Sequence, residues 1–171
     1  MVTAGFCRLM AQYNAWQNAS LYAAADELDP AEREADRGAH FASIRATLSH
    51  LLWADHVWMS RLAEWAKPPV GLDRSTDFVS DWPALVEGRR SADANIRDWA
   101  GGLTDQGLDG SLSWYSGALG RDAETPRVLC VVHMFNHQTH HRGQVHAMLT
   151  AAGATPEATD LFAMPEGAGW R

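Results

Sequence analysis

The sequence predicts an all-α protein, a four-helix up-and-down bundle with a long connection between its third and fourth helices. Three observations predict it. Strand-like alternation is nearly absent, while four stretches repeat apolar residues at intervals of three and four, the spacing of amphipathic helices. Helix-ending residues fall where those stretches stop: Pro30, then Lys67-Pro68-Pro69, then Gly101-Gly102, then Gly153. A chain of 171 residues, 46% apolar and 20% charged, suffices for one core and is short for two, so residues 1–171 are expected to form a single domain.

The first helix is expected from about Ala4 to Ala25, with Phe6, Leu9, Met10, Tyr13, Trp16 and Leu21 broadly on one side. The second is expected from about His40 to Trp65, its apolar sector formed by Phe41, Ile44, Leu48, Leu51, Trp58, Met59 and Leu62. The third, the least apolar, begins with Ser80 or Asp81 as N-cap and Pro83 in its first turn, and carries Leu85, Val86, Ile96 and Trp99. For the fourth, Thr125 is expected as N-cap, Pro126 at the first helical position and Gly153 just beyond Ala152. In the connection Leu103 to Glu124, Leu112 and Trp114 alternate with serines, which suits a short hairpin capping one end of the bundle.

Charge narrows the function classes. The net charge is −7 and no basic stripe accompanies the isolated pair Arg89-Arg90, which argues against nucleic-acid binding. No segment approaches 18 uninterrupted apolar residues and the N-terminus lacks a signal-peptide pattern, so a cytoplasmic protein with no membrane partner is expected. Two cysteines, Cys7 and Cys130, are too few for a disulfide framework and lack CxxC spacing; both are expected to be small buried hydrophobes.

The fourth helix carries the chemistry. One stripe collects Cys130, Met134, His137, His141, Val145 and Met148. Imidazoles at i and i+4 stand one turn apart on the same side, within reach of a single ion. A third ligand would come from a facing helix, and His50 is the best supplier, in a row with the smaller residues Ser43, Ala54 and Val57. His56 points away from the apolar sector and His40 lies at the helix start. His133 and His140 flank the pair; His133, one turn before His137, would replace a ligand if the register were shifted, and His146 lies on a different sector. Asp55 falls on an apolar sector, where a carboxylate is costly unless paired, so either Arg142 or a histidine is its partner or the residue is half-exposed near a loop. Asp55 and His133 are the candidate general bases. Gly143 inside the helix suggests close approach of another backbone, and Trp53 and Trp114 are candidates for a pocket mouth.

The string Phe135-Asn136-His137-Gln138-Thr139-His140-His141-Arg142-Gly143-Gln144 resembles the signature of the DinB/YfiT-like metalloprotein family. His50 within Thr47-Leu48-Ser49-His50-Leu51-Leu52-Trp53, and Tyr13-Asn14-Ala15-Trp16-Gln17-Asn18, are similar to that family's second- and first-helix patterns. The resemblance spans Phe6 to Phe162 and leaves out the tail Ala163 to Arg171, which ends in Trp170-Arg171. It implies a four-helix bundle, a homodimer, and a three-histidine site carried over onto His50, His137 and His141. One divalent transition metal per chain is then expected, zinc or nickel ahead of iron or manganese. Relatives include S-transferases and isomerases that use low-molecular-weight thiols, so the resemblance implies a metal-dependent thiol S-transferase. A metal-dependent hydrolase, or a non-catalytic, stress-related metal-binding dimer, stays open beside it. Helix one, with Trp16 and Tyr22, is the expected dimer face.

Overall fold

The chain is described here by a computed structural model covering residues 2–117 and 119–165. The expected tail residue Trp170 lies outside the described residues. Four long helices dominate: α1 (Ala4–Asp26), α3 (Ile44–Leu62), α4 (Trp82–Gly102) and α5 (Arg127–Ala151), with a short α2 (Pro30–Glu34) after the first. Strands β1 (Ser111–Ser116) and β2 (Arg121–Pro126) form an antiparallel hairpin between α4 and α5. The fold is therefore mostly helical with a small two-stranded sheet, and a strict all-α description does not hold. No helix among the described residues is long and apolar enough to cross a membrane.

Helix starts follow local chemistry. Thr3, Ser43 and Asp81 cap α1, α3 and α4, each side-chain oxygen accepting the backbone N–H three residues on. The second helix is shorter than expected, because the chain reverses at Ala42 (φ 60°) and Ser43 supplies the cap, leaving His40 and Phe41 in the turn ahead of it. Its end at Leu62 is followed by Glu64 at φ 59°. At the fourth helix the expected cap shifts by one residue. Thr125 is paired with Leu112 in the hairpin, and Pro126, with extended ψ of 131°, is the cap itself.

Helices α1 and α3 each pack against α4 and α5. Helices α3 and α5 run antiparallel, since His50 meets His137 and His141 while Trp58, later in α3, meets His133, earlier in α5. Two apolar clusters fill the interior. One centres on Leu21, Ile44, Leu48, Leu85 and Leu149, the other on Met59, Leu62, Ile96, Met134 and Phe135, with Leu112 of the hairpin in the second. Both cysteines are buried, and burial pushes the Cys7 thiol up to about 11 and raises that of Cys130.

Between the clusters lies a buried polar layer that apolar periodicity did not reveal. Of its large apolar residues helix α1 buries Leu21 and Tyr22, and beside them it turns inward Cys7, Ala11, Asn14, Gln17 and Asn18; Phe6, Leu9, Met10, Tyr13 and Trp16 are only partly covered. Small residues let the helix approach closely, and the amides meet charges that need partners. Asn18 donates to Asp93 at 2.9 Å, and Asn14 accepts from Arg142. Arg89 of α4 reaches Asp55 at 2.6 Å and Asp93 at 2.8 Å, and Gln138 of α5 donates to Asp55 at 2.6 Å and to the Leu51 carbonyl at 3.1 Å. The expected partners of Asp55, Arg142 or a histidine, are thus replaced by Arg89 and Gln138.

Candidate metal centre

His50, His137 and His141 come together: one nitrogen of each lies within 4.8 Å of the others. Helix α3 contributes the first and one turn of α5 the other two, as i,i+4 geometry dictates. His50 and His141 are buried and His137 is half-buried. The Nε2 atoms of His50 and His137 face each other at 3.3 Å. Two imidazole nitrogens bound tetrahedrally to one zinc at about 2.0–2.1 Å stand about 3.3 Å apart, so the spacing fits a shared ion.

Hydrogen bonds aim two of the rings. His50 Nδ1 meets Ser75 Oγ at 2.9 Å, which leaves Nε2 pointing into the cluster. Gln144 Oε1 accepts from His141 Nδ1 at 2.7 Å, so the proton sits on Nδ1 and Nε2 is the bare nitrogen. His137 Nδ1 is buried with no partner among the described residues. Phe41, from the turn before α3, packs its ring 4.1 Å from that of His50 and 5.2 Å from that of His141.

The electrostatics suit a cation that needs neutral ligands. Burial, reinforced by His141 and His40, pushes His50 down to about 3. His137 is pushed down to about 3 by burial and then by the neighbouring histidines. Burial also lowers His141, against the opposing effect of the hydrogen bond it donates to Gln144. All three are therefore neutral at physiological pH, the form that binds a metal.

A cavity of about 720 Å³ opens onto His50 and His137. Its walls include Trp53, Val57, Trp58, Trp114 and His133, and Trp53 is fixed there by donating to the Val70 carbonyl at 2.9 Å. That volume is in the range of pockets that take small organic ligands.

The sequence model of the DinB family matches residues 1–171. The chain belongs to the DinB family. Its fold is similar to that of a DinB-like protein from Bacillus cereus, known from a crystal structure, with a TM-score of 0.62 and 17% identity over 84% of this chain and 90% of that one. At that identity the likeness is one of fold. No curated protein matches the sequence.

Within this DinB-family chain the other expected residues separate clearly. His133 is exposed and lines the cavity, its ring 4.9 Å from Trp58 and 5.8 Å from His137, outside the three-nitrogen cluster. Asp55 has both oxygens engaged, by Arg89 and Gln138, and is absent from the cavity wall. His140 is exposed; His56 turns toward Trp65 and Phe78. The expected close approach at Gly143 is not there, since a Cβ at that position would meet nothing within 4 Å. Arg142 pairs with Asn14 and Thr139, and burial lowers it to about 10. Trp53 and Trp114 both line the cavity, as expected of mouth residues.

Sequence reasoning missed Ser75, Phe41 as a cover and Gln144. Gln144 was legible, because a residue at i+3 from His141 faces it. Ser75 lies 25 residues from His50, in a 3-10 turn whose place no local pattern sets.

Proposed function

We propose that this protein holds one divalent transition-metal ion through His50, His137 and His141 and uses it as a cytoplasmic, homodimeric S-transferase that joins a low-molecular-weight thiol to an electrophile. The convergence of three neutral imidazoles at the edge of a large aromatic-walled cavity carries the reading. Three protein ligands rather than four are the donor set of an open site. An ion bound there supplies a +2 charge that favours ionisation of a thiol or water beside it, zinc and nickel suiting imidazole best. The chain's own contribution is positional. Ser75 and Gln144 hold two rings in orientation, Phe41 shields them from water, and Trp53, Trp58 and Val57 offer the apolar wall a soft sulfur reagent and an apolar electrophile need. His133, at the wall but outside the cluster, is the side chain placed to relay a proton.

Elemental analysis of protein purified without chelator tests the ion, with about one zinc or nickel per chain expected. Alanine at His137 or His141 should abolish uptake, whereas alanine at exposed His140 should not; equal loss at all three would sink the assignment. Metal-dependent consumption of a thiol with an electrophile supports the transferase. Turnover of ester or amide analogues without thiol would replace it with a hydrolase, and a metal that only raises the melting temperature would replace it with a structural role. Sedimentation at micromolar concentration tests the dimer. Tyr22, expected at its face, is buried against the Trp82 ring at 5.6 Å, which leaves Trp16 and its neighbours on α1 to form it.

A further inference from the structure

The same cavity ends, far from His50, at a cation beside His133 that pairs with no acid among the described residues. Arg61 lies about three turns beyond His50 on α3, about 16 Å along the helix axis. Its guanidinium carbon sits 4.6 Å from the ring centre of Trp58 and 4.7 Å from that of Trp114, so α3 and the hairpin hold it between them. Among the described residues it makes no salt bridge and donates no hydrogen bond, although a guanidinium carries five N–H donors. Arg8, Arg33, Arg37, Arg45, Arg89 and Arg142 donate to protein acceptors; of the other described arginines without a protein partner, Arg74, Arg90, Arg97 and Arg121 are exposed to water and Arg127 is half-buried, and Arg61 is the half-buried one that lies in the cavity wall.

The charge around it is one-sided. In a chain of net charge −7, the cavity wall contains Arg61 and the single lysine, Lys67, and no aspartate or glutamate among the described residues. Burial lowers the Arg61 pKa from its usual value, the mark of a cation short of compensating charge. The two tryptophans engage the face of the guanidinium and leave its N–H edge free, and that edge is the part that pairs with a carboxylate through two parallel hydrogen bonds.

We propose that Arg61 is the anion-binding end of this cavity and that the occupant is an amphipathic organic acid. Its carboxylate pairs with Arg61, its apolar body lies along Trp58, Val57 and Trp114, and its other end reaches His50 and His137. The placement of the reacting end rests on the metal-centre reading above; the binding of the carboxylate does not.

The test titrates 4-phenylbutyrate and its neutral amide, 4-phenylbutyramide, into the full-length protein, following tryptophan fluorescence and calorimetry, once after chelator treatment and once after zinc loading. The carboxylate should bind at least about tenfold more tightly than the amide in both preparations, the lower range for a charge-assisted hydrogen bond. Arg61→Met should bring the carboxylate down to the amide's affinity and leave the amide unchanged. Arg61→Lys, which keeps the charge and loses the fork, should fall between and guards against a folding defect in the first variant. Equal affinity for acid and amide, absence of binding by either at millimolar concentration, or a loss that follows Lys67→Met rather than Arg61→Met would overturn the proposal. Failure to take up zinc with carboxylate binding intact would sink the metal reading and leave this one standing.

Discussion

Replacing Arg89 with methionine should expose the energetics of the buried polar layer. Arg89 is 3% exposed and is the shared cation of two carboxylates, Asp55 at 2.6 Å and Asp93 at 2.8 Å. Burial opposes its charge, but Asp93 and Asp55 outweigh that and hold it firmly protonated. Methionine keeps most of the volume and strands both acids. Breaking a buried pair by removing one partner costs about 3–5 kcal/mol, a large part of the 5–15 kcal/mol typical of a domain. For a chain of this size the melting temperature should fall by about 6–20 °C. The pH dependence identifies the cause. Burial already raises the Asp93 carboxyl with Arg89 beside it, and without that cation it rises further above the unfolded value of about 3.9, so the folded state binds more protons and stability is lost as pH rises. The deficit relative to wild type should therefore shrink as pH falls from 7 to 5. Asp55→Asn, which leaves the Arg89–Asp93 pair and the Gln138 bond to Leu51 in place, should cost less, about 1–3 kcal/mol. Urea denaturation at several pH values measures all of this. An Arg89→Met protein within about 1 kcal/mol of wild type, or a deficit that does not change with pH, would refute the reasoning.

In metal-free protein the site histidines set a second pH dependence. His50 and His137, held near 3 when folded and free to titrate near 6.5 when unfolded, make the unfolded state the greater proton binder between those values. Stability should then fall as pH drops below 6.5, by about 1 kcal/mol for each of the two at pH 5.5, and chelator-treated protein unchanged between pH 7.5 and 5.5 would contradict it. Gly143→Ala should stabilise the chain by about 0.5–1 kcal/mol, because the position is exposed, mid-helix and free of contacts; a loss in thermal denaturation would mean that α5 is approached there after all.

The long helices and the histidine cluster were legible because both depend on local spacing. His137 and His141 share a face through the helix repeat alone, and Asp81, Pro83 and Gly153 punctuate as their chemistry requires. The hairpin was legible from Leu112 and Trp114 alternating with serines. What failed was the assumption that the inward face of a helix is its apolar face. Helix α1 buries Asn14 and Asn18 because Arg142 and Asp93 meet them in the core, and Gln17 because it donates to the Ala158 carbonyl of the exposed segment after α5; those partners lie 75 to 141 residues away. Arg89 and Asp93 did carry a local sign, an i,i+4 pair of opposite charges on the stripe of Leu85, Ala92 and Ile96. Arg61 carried half of one, since Trp58 lies three residues before it on α3, whereas Trp114 comes from a hairpin whose position only the fold defines.

The polar layer and the histidine site are joined through α5. Its residues His137 and His141 face His50 of α3, and Gln138 and Arg142, each one residue on and rotated by about 100°, face the core. Gln138 is bonded to the Leu51 carbonyl and to Asp55, so the clamp between α5 and α3 sits one residue from His137 on one helix and one residue from His50 on the other. A slip of α5 by one turn, about 5.4 Å, would break both Gln138 bonds and separate the facing Nε2 atoms at the same time. The buried charges thus have a consequence that apolar packing alone would not supply. Leucine and methionine faces tolerate small sliding, whereas a carboxylate already committed to Arg89 accepts an amide in one register only. That register holds the spacing of His50 and His137, and their neutrality at neutral pH spares the facing rings the repulsion that two imidazolium cations would have.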